Sequence, residues 1–139
     1  MVFKVDERIE TSCEWLTDKS LSSLYLKNVA NFPWVILVPR IETVKEIYQL
    51  ALPERHLLME EITLVSKIMA DYFKPDKLNV GALGNIVSQL HIHIVARFKE
   101  DKAWPDSIWQ PELAADVYEP AILNKHIVNL RELLTQPAA

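Results

Sequence analysis

Cysteine and glycine are almost missing from this chain. Cys13 is the only cysteine, which excludes an intramolecular disulfide and any Cys-x-x-Cys zinc site. The expectation for it is a small buried or half-buried side chain. Glycine occurs only at Gly81 and Gly84. Glycine allows close backbone approach and unusual dihedrals. Both lie within ten residues of His91, which suggests backbone shaped around a ligand; a tight turn is the alternative for Gly81. Basic runs are also lacking. The net charge is −4, so the footprint of a protein that tracks a nucleic-acid backbone is absent, although a mononucleotide needs no basic surface. No apolar run approaches membrane-spanning length. The opening Met1-Val2-Phe3-Lys4-Val5-Asp6 has no signal-peptide core, so a cytoplasmic protein that binds neither membrane nor nucleic acid is expected. There is no internal repeat and no low-complexity segment. A length of 139 residues fits one domain, 1–139, with one sizeable core.

What is present alternates between strand and helix patterns. Asp6 is placed to cap a short helix beginning at Glu7. A short strand or loop follows around Cys13 to Leu16, and Asp18-Lys19-Ser20 is a turn signal. Leu24 to Lys27 reads as a strand, Asn28 to Asn31 as a loop, and Trp34 to Val38 as a strand covered on both faces. Trp34 itself reads as core. Pro39 ends that strand, and the two strands are expected to form a hairpin. Pro53 suits the first turn of a helix. Leu57, Leu58, Glu61, Ile62, Val65, Ile68, Met69 and Tyr72 then keep helical spacing until Pro75. Lys77 to Leu83 alternates as a strand. Lys99 to Lys102 reads as a solvated charged turn. The stretch from Ala103 to Pro111 holds two tryptophans and no periodicity, which marks a loop packed over a surface. Glu119-Pro120 opens a last helix. His56 and His126 fall in helical patterns and read as exposed positions.

The most informative stretch is Gln89-Leu90-His91-Ile92-His93-Ile94-Val95, in a strand expected from about Ser88 to Phe98. Alternation puts Leu90, Ile92 and Ile94 on one face and Gln89, His91 and His93 on the other. A rigid strand then presents two imidazoles that can donate, accept, attack phosphorus or bind a metal near neutral pH.

This stretch resembles the His-φ-His-φ-His-φ-φ signature of the histidine-triad nucleotide hydrolases and transferases (φ apolar), with Gln89 in place of the first histidine. The similarity extends to Trp34 to Arg40, an apolar strand ending in Pro and a basic residue, to Gly84-Asn85 where the family has Gly-Gln, and to Trp104-Pro105, as in the Hint branch. The resemblance implies an α+β fold with an antiparallel sheet of about five strands and packed helices, and a homodimer. It implies attack by His91 on the α-phosphorus of a nucleoside phosphoramidate or dinucleoside polyphosphate through a nucleotidyl-histidine. Nδ1–H of His91 would be held by the carbonyl of residue 89, and His93 would bond the phosphate and leaving group. Gln89 would donate to a phosphate oxygen, Asn28 would hold the ribose hydroxyls, and Asn85 with Gly84 would contact the nucleotide. No metal and no cofactor are implied. Ile86 stands where the family has Ser or Thr, and Trp34 where the Hint branch has a further histidine. Two rivals follow: a nucleotide-binding module with little turnover, or a metal enzyme using His91 and His93 as ligands.

Overall fold

The computed structural model describes residues 2–137; the ends of the 1–139 domain reading, Met1, Ala138 and Ala139, lie outside the described residues. In chain order the elements are α1 (Glu7–Ser12), β1 (Cys13–Asp18), β2 (Ser22–Lys27), β3 (Trp34–Pro39), a single 3-10 turn (Ile47–Gln49), α2 (Leu52–Phe73), β4 (Lys77–Gly81), β5 (Ile92–Arg97) and α3 (Pro120–Thr135). The strands form one five-stranded sheet in the order β1-β2-β3-β5-β4, and every pairing is antiparallel. This is the expected α+β architecture, including the β2–β3 hairpin.

The local reasons are visible in the sequence. The Asp6 side chain accepts from the N–H of Arg8 and caps α1. Glu54 accepts from the N–H of Ala51 at 2.7 Å at the start of α2, and Lys74 closes that helix in the left-handed conformation just before Pro75. Leu58, Glu61, Val65 and Met69, spaced by three or four, are its buried residues. Glu61 is not a misplaced charge. Its two carboxylate oxygens accept from the N–H groups of Leu21 and Ser22 at 2.8 and 3.0 Å, and these charge-assisted bonds fasten the helix to the turn between β1 and β2.

The sheet has two unlike faces. Leu24, Leu26, Val35, Leu37, Ile92 and Ile94 pack against α2 and α3 in the main core. On the other face, Tyr25, Ile36 and Val38 pack against Val5, Ile9 and Cys13. Further along, Val95 packs with Val29, Phe32, Ala103 and Ile108. The second face is therefore covered at one end by the N-terminal segment and at the other by the loop after β5.

That loop is held by a buried ion pair, which corrects the reading of residues 99–102 as a merely solvated turn. Arg97 is 2% exposed. Its guanidinium donates to both carboxylate oxygens of Asp101 at 2.8 and 3.0 Å, to Asn79 at 2.8 Å and to the carbonyl of Asp106 at 2.8 Å. Asp101 also accepts from the N–H groups of Phe98, Ala103 and Trp104. Burial alone would raise the Asp101 carboxyl, but the Arg97 guanidinium and these three N–H groups outweigh it and hold the group at about 2.

Several sequence expectations are corrected. β4 stops at Gly81 and not at Leu83, and β5 begins at Ile92 and not near Ser88. The chain leaves the ladder before Ile92 because the N–H of Leu90 donates to Val44 at 3.0 Å instead of to a strand. His126 is half-buried, not exposed. Its Nδ1 lies 2.9 Å from the hydroxyl of Tyr72, and its ring meets Tyr72, Phe73 and Tyr118 edge-on. His56 is exposed, as read.

Candidate functional site

Between the two coverings of the second face lies a cleft of about 680 Å³. Its floor is β5 and β3, where Ile36 pairs directly with His93. Its walls are α1, the Gly84–Val87 segment and residues 108–111. His91 and His93 both line it and are 7% and 8% exposed. Their rings meet edge-on with centroids 4.7 Å apart.

The partners of the two rings fix their tautomers by elimination. Nδ1 of His91 lies 2.7 Å from the carbonyl oxygen of Gln89. A carbonyl can only accept, so this Nδ1 carries the hydrogen, and Nε2 is the nitrogen that can offer a lone pair. Nδ1 of His93 lies 2.9 Å from the indole N–H of Trp34. An indole N–H can only donate, so this Nδ1 is the acceptor and the hydrogen is on Nε2. The two rings are thus held in opposite senses, His91 by an Nδ1 that donates and His93 by an Nδ1 that accepts. Burial, reinforced by the neighbouring His91 and Lys27, pulls His93 down to about 3.

Around the histidines the charge is one-sided. Arg8 and Lys27 line the cleft and no carboxylate does, among the described residues. Nζ of Lys27 lies 3.3 Å from the hydroxyl of Ser12 and 5.1 Å from the centroid of the Trp34 ring. Arg8 is paired with Asp6 at 3.0 Å and also donates to the carbonyl of Ile86 at 3.1 Å, which ties α1 to the opposite wall. Trp109 completes the lining, with its ring 5.7 Å from that of His93. It also explains Gly81: a Cβ there would come within 3.1 Å of the Trp109 ring. Gly84 adopts φ +70° at the cleft wall, a conformation that favours glycine.

Of the residues singled out by sequence, the fold brings His91, His93, Asn85 and Gly84 to this cleft. It does not bring Gln89 or Asn28. The side chain of Gln89 is occupied elsewhere: its oxygen accepts from the N–H of Asp6 at 2.8 Å, and its amide donates to the carbonyl of Lys4 at 2.9 Å. Because β5 has not yet begun at residue 89, the alternation that placed Gln89 beside the histidines does not apply. Asn28 turns away as well, with its side-chain oxygen accepting from the N–H of Tyr118 at 2.9 Å. Trp34, read as core, is half-buried in the cleft. An indole at the head of an otherwise aliphatic strand needs a partner for its N–H, and that requirement was the available signal. Lys27 and Arg8 carried no signal beyond their charge. Among the described residues no cluster of three or more His, Cys, Asp or Glu side chains is placed to hold a metal ion.

A five-stranded antiparallel sheet carrying paired imidazoles in an anion-compatible cleft defines the class as a histidine-triad scaffold. The comparisons agree: the chain belongs to the HIT domain family, whose model matches residues 8–100. Members are generally nucleotide-binding hydrolases or transferases. Among solved structures, a histidine triad protein from Marinobacter aquaeolei is 36% identical, with 99% of this chain and 100% of that one covered and a TM-score of 0.92. One from Bradyrhizobium japonicum is 35% identical over 95% and 98%, with a TM-score of 0.91. One from Sinorhizobium meliloti is 32% identical over 94% and 96%, with a TM-score of 0.89. No curated protein matches. No helix among the described residues is long and apolar enough to cross a membrane.

Proposed function

We propose that this chain hydrolyses or transfers nucleotidyl groups by attack of His91 on an α-phosphorus. The observation that carries the reading is the 2.7 Å contact between Nδ1 of His91 and the Gln89 carbonyl. It commits Nδ1 as a donor and leaves Nε2 available as the nucleophile in a cleft also lined by Arg8 and Lys27. In the first displacement the Nε2 lone pair bonds to phosphorus while the bond to the leaving group breaks and its electron pair departs with that group. In the second, water attacks phosphorus, the P–N pair returns to Nε2, and the proton of the water passes to solvent. His93 donates its Nε2–H to the phosphate. Lys27 and Arg8 offset the charge, and Asn85 and Gly84 border the nucleotide. Gln89 contributes its carbonyl, not its side chain. Substrates are nucleoside phosphoramidates or dinucleoside polyphosphates, and two copies of this one-domain chain form a dimer in the cytoplasm.

One observation favours the rival reading of a binding module. The Asn28 and Gln89 side chains, expected to hold ribose and phosphate, are both engaged elsewhere. A screen of adenosine phosphoramidate, diadenosine tetraphosphate and nucleoside-diphosphate sugars decides between them. Turnover that falls about a thousandfold or more in His91→Ala supports the nucleophile. Binding without turnover in the intact protein supports the module.

A further inference from the structure

Trp34 opens β3 and pairs in register with Val95. Its indole N–H meets Nδ1 of His93 at 2.9 Å, and the rings lie 5.5 Å apart at a 59° tilt. The contact spans 59 residues of sequence, and Trp34 also packs against both hydrophobic clusters of the second face. The geometry points to Trp34 as a positioning residue that holds His93 as a neutral Nε2–H donor and so restricts the site to leaving groups that depart as stable anions. The restriction on leaving groups rests on the reading of His91 as nucleophile; the tautomer lock does not.

To act as a general acid, His93 would have to carry hydrogens on both ring nitrogens. The second would point at the indole N–H, and two donors would then face each other at 2.9 Å. Tryptophan has no lone pair with which to adapt. The surroundings add no compensation. Lys27 faces His93 from β2 and Arg8 lines the same cleft from α1, both cationic. His91 adjoins it from the residue just before β5. Trp109 faces it from the loop after β5 and does not titrate. Asp6, the carboxylate that senses His91, is already paired with Arg8.

The consequence lies in the first displacement. When a P–O bond to a phosphate arm breaks, the pair leaves on an oxygen that needs no proton at neutral pH. When the P–N bond of a phosphoramidate breaks, the departing nitrogen must take up a proton. A neutral His93 could supply one only by becoming an imidazolate. General-acid assistance is worth about a hundredfold to ten-thousandfold, so its absence separates the two substrate classes. The preferred class is therefore a nucleoside polyphosphate with a phosphate-type leaving group.

Nitrogen-15 NMR of the histidine rings in the wild-type protein reads the lock without any turnover. The expected spectrum has a pyridine-type Nδ1 and a pyrrole-type Nε2 at His93, unchanged between pH 5 and 8. A hydrogen on Nδ1, or an imidazolium at pH 6, would overturn the lock. In Trp34→Phe, with its fold checked by thermal unfolding, the His93 hydrogen should exchange between Nδ1 and Nε2 and the two nitrogen shifts should move towards each other; a fixed tautomer there would also overturn it. Diadenosine tetraphosphate should be cleaved at least about a hundredfold faster than adenosine phosphoramidate. In Trp34→His, whose ring nitrogen can accept, the gap should narrow about tenfold relative to Trp34→Phe. Equal wild-type rates would overturn the leaving-group restriction. A wild-type protein that cleaves neither, with the expected spectrum, overturns the hydrolase reading and the restriction together while upholding the lock.

Discussion

Replacing Asp101 by asparagine should destabilise the protein by about 3–5 kcal/mol, the usual cost of stranding one member of a buried ion pair. The side chains of Arg97 and Asp101 are only 2% and 4% exposed, so solvent screening does not soften the loss. The pH dependence of the wild type gives a smaller, separate quantity. The Asp101 carboxyl falls from an ordinary 3.8 to about 2, which corresponds to about 2.5 kcal/mol at 1.36 kcal/mol per tenfold change in acidity. A depressed carboxyl stabilises the fold fully above its unfolded value. That contribution is therefore present above about pH 4 and is lost as the pH falls through about 2. The substitution costs more than protonation because the asparagine amide also points donors at the guanidinium. Denaturant unfolding at pH 7 and at stepped pH down to 2 separates the two effects. The variant should lose the acid-dependent part and keep the rest of the profile. A loss below about 1 kcal/mol at pH 7, or an unchanged acid limb, would refute the claim that this pair is buried and holds the loop after β5.

Three further outcomes follow from other contacts. Gln89→Ala removes two hydrogen bonds to the N-terminal segment and should cost about 1 kcal/mol in thermal unfolding, since water can partly replace them; a change in turnover with no change in stability would return this side chain to the chemistry. Gly81→Ala sets a backbone gain of about 0.5–1 kcal/mol against a 3.1 Å contact with the Trp109 ring, so stability should hardly move while KM rises several-fold through displacement of the cleft wall; an unchanged KM would show that Trp109 does not shape the binding surface. Light scattering at micromolar concentration should find twice the mass of one chain, and a stable monomer would count against the proposed dimer.

Much of the fold was legible because its elements announce themselves locally. β2 and β3 are apolar runs ended by a loop and a proline, and α2 has a proline at its start, a periodic face and Pro75 after its end. The core face of β5 and of the residues leading into it was equally plain from Leu90, Ile92 and Ile94. Most of the errors at the site concern side chains whose partners are far away in sequence. Gln89 bonds to residues more than eighty positions distant, and Asn28 bonds to Tyr118. Neither pairing leaves a periodic trace. Asp101 looked like one charge among four in Lys99 to Lys102, and only its contact with Arg97 shows that it is buried. Trp34 reads as core from its aliphatic neighbours, although its indole N–H requires a partner. The paired histidines were legible because strand alternation alone puts them on one face. Their opposite tautomers were not, since each depends on an atom from another segment.

The central claim, covalent attack by Nε2 of His91, is tested most directly by intact-protein mass spectrometry after rapid alkaline quenching of a reaction with a dinucleoside polyphosphate. The account predicts a mass gain of one nucleotidyl group, carried by the peptide containing His91 and absent from His91→Ala while His93→Ala still forms it. Turnover without any adduct on His91, or an adduct mapped to His93, would contradict it.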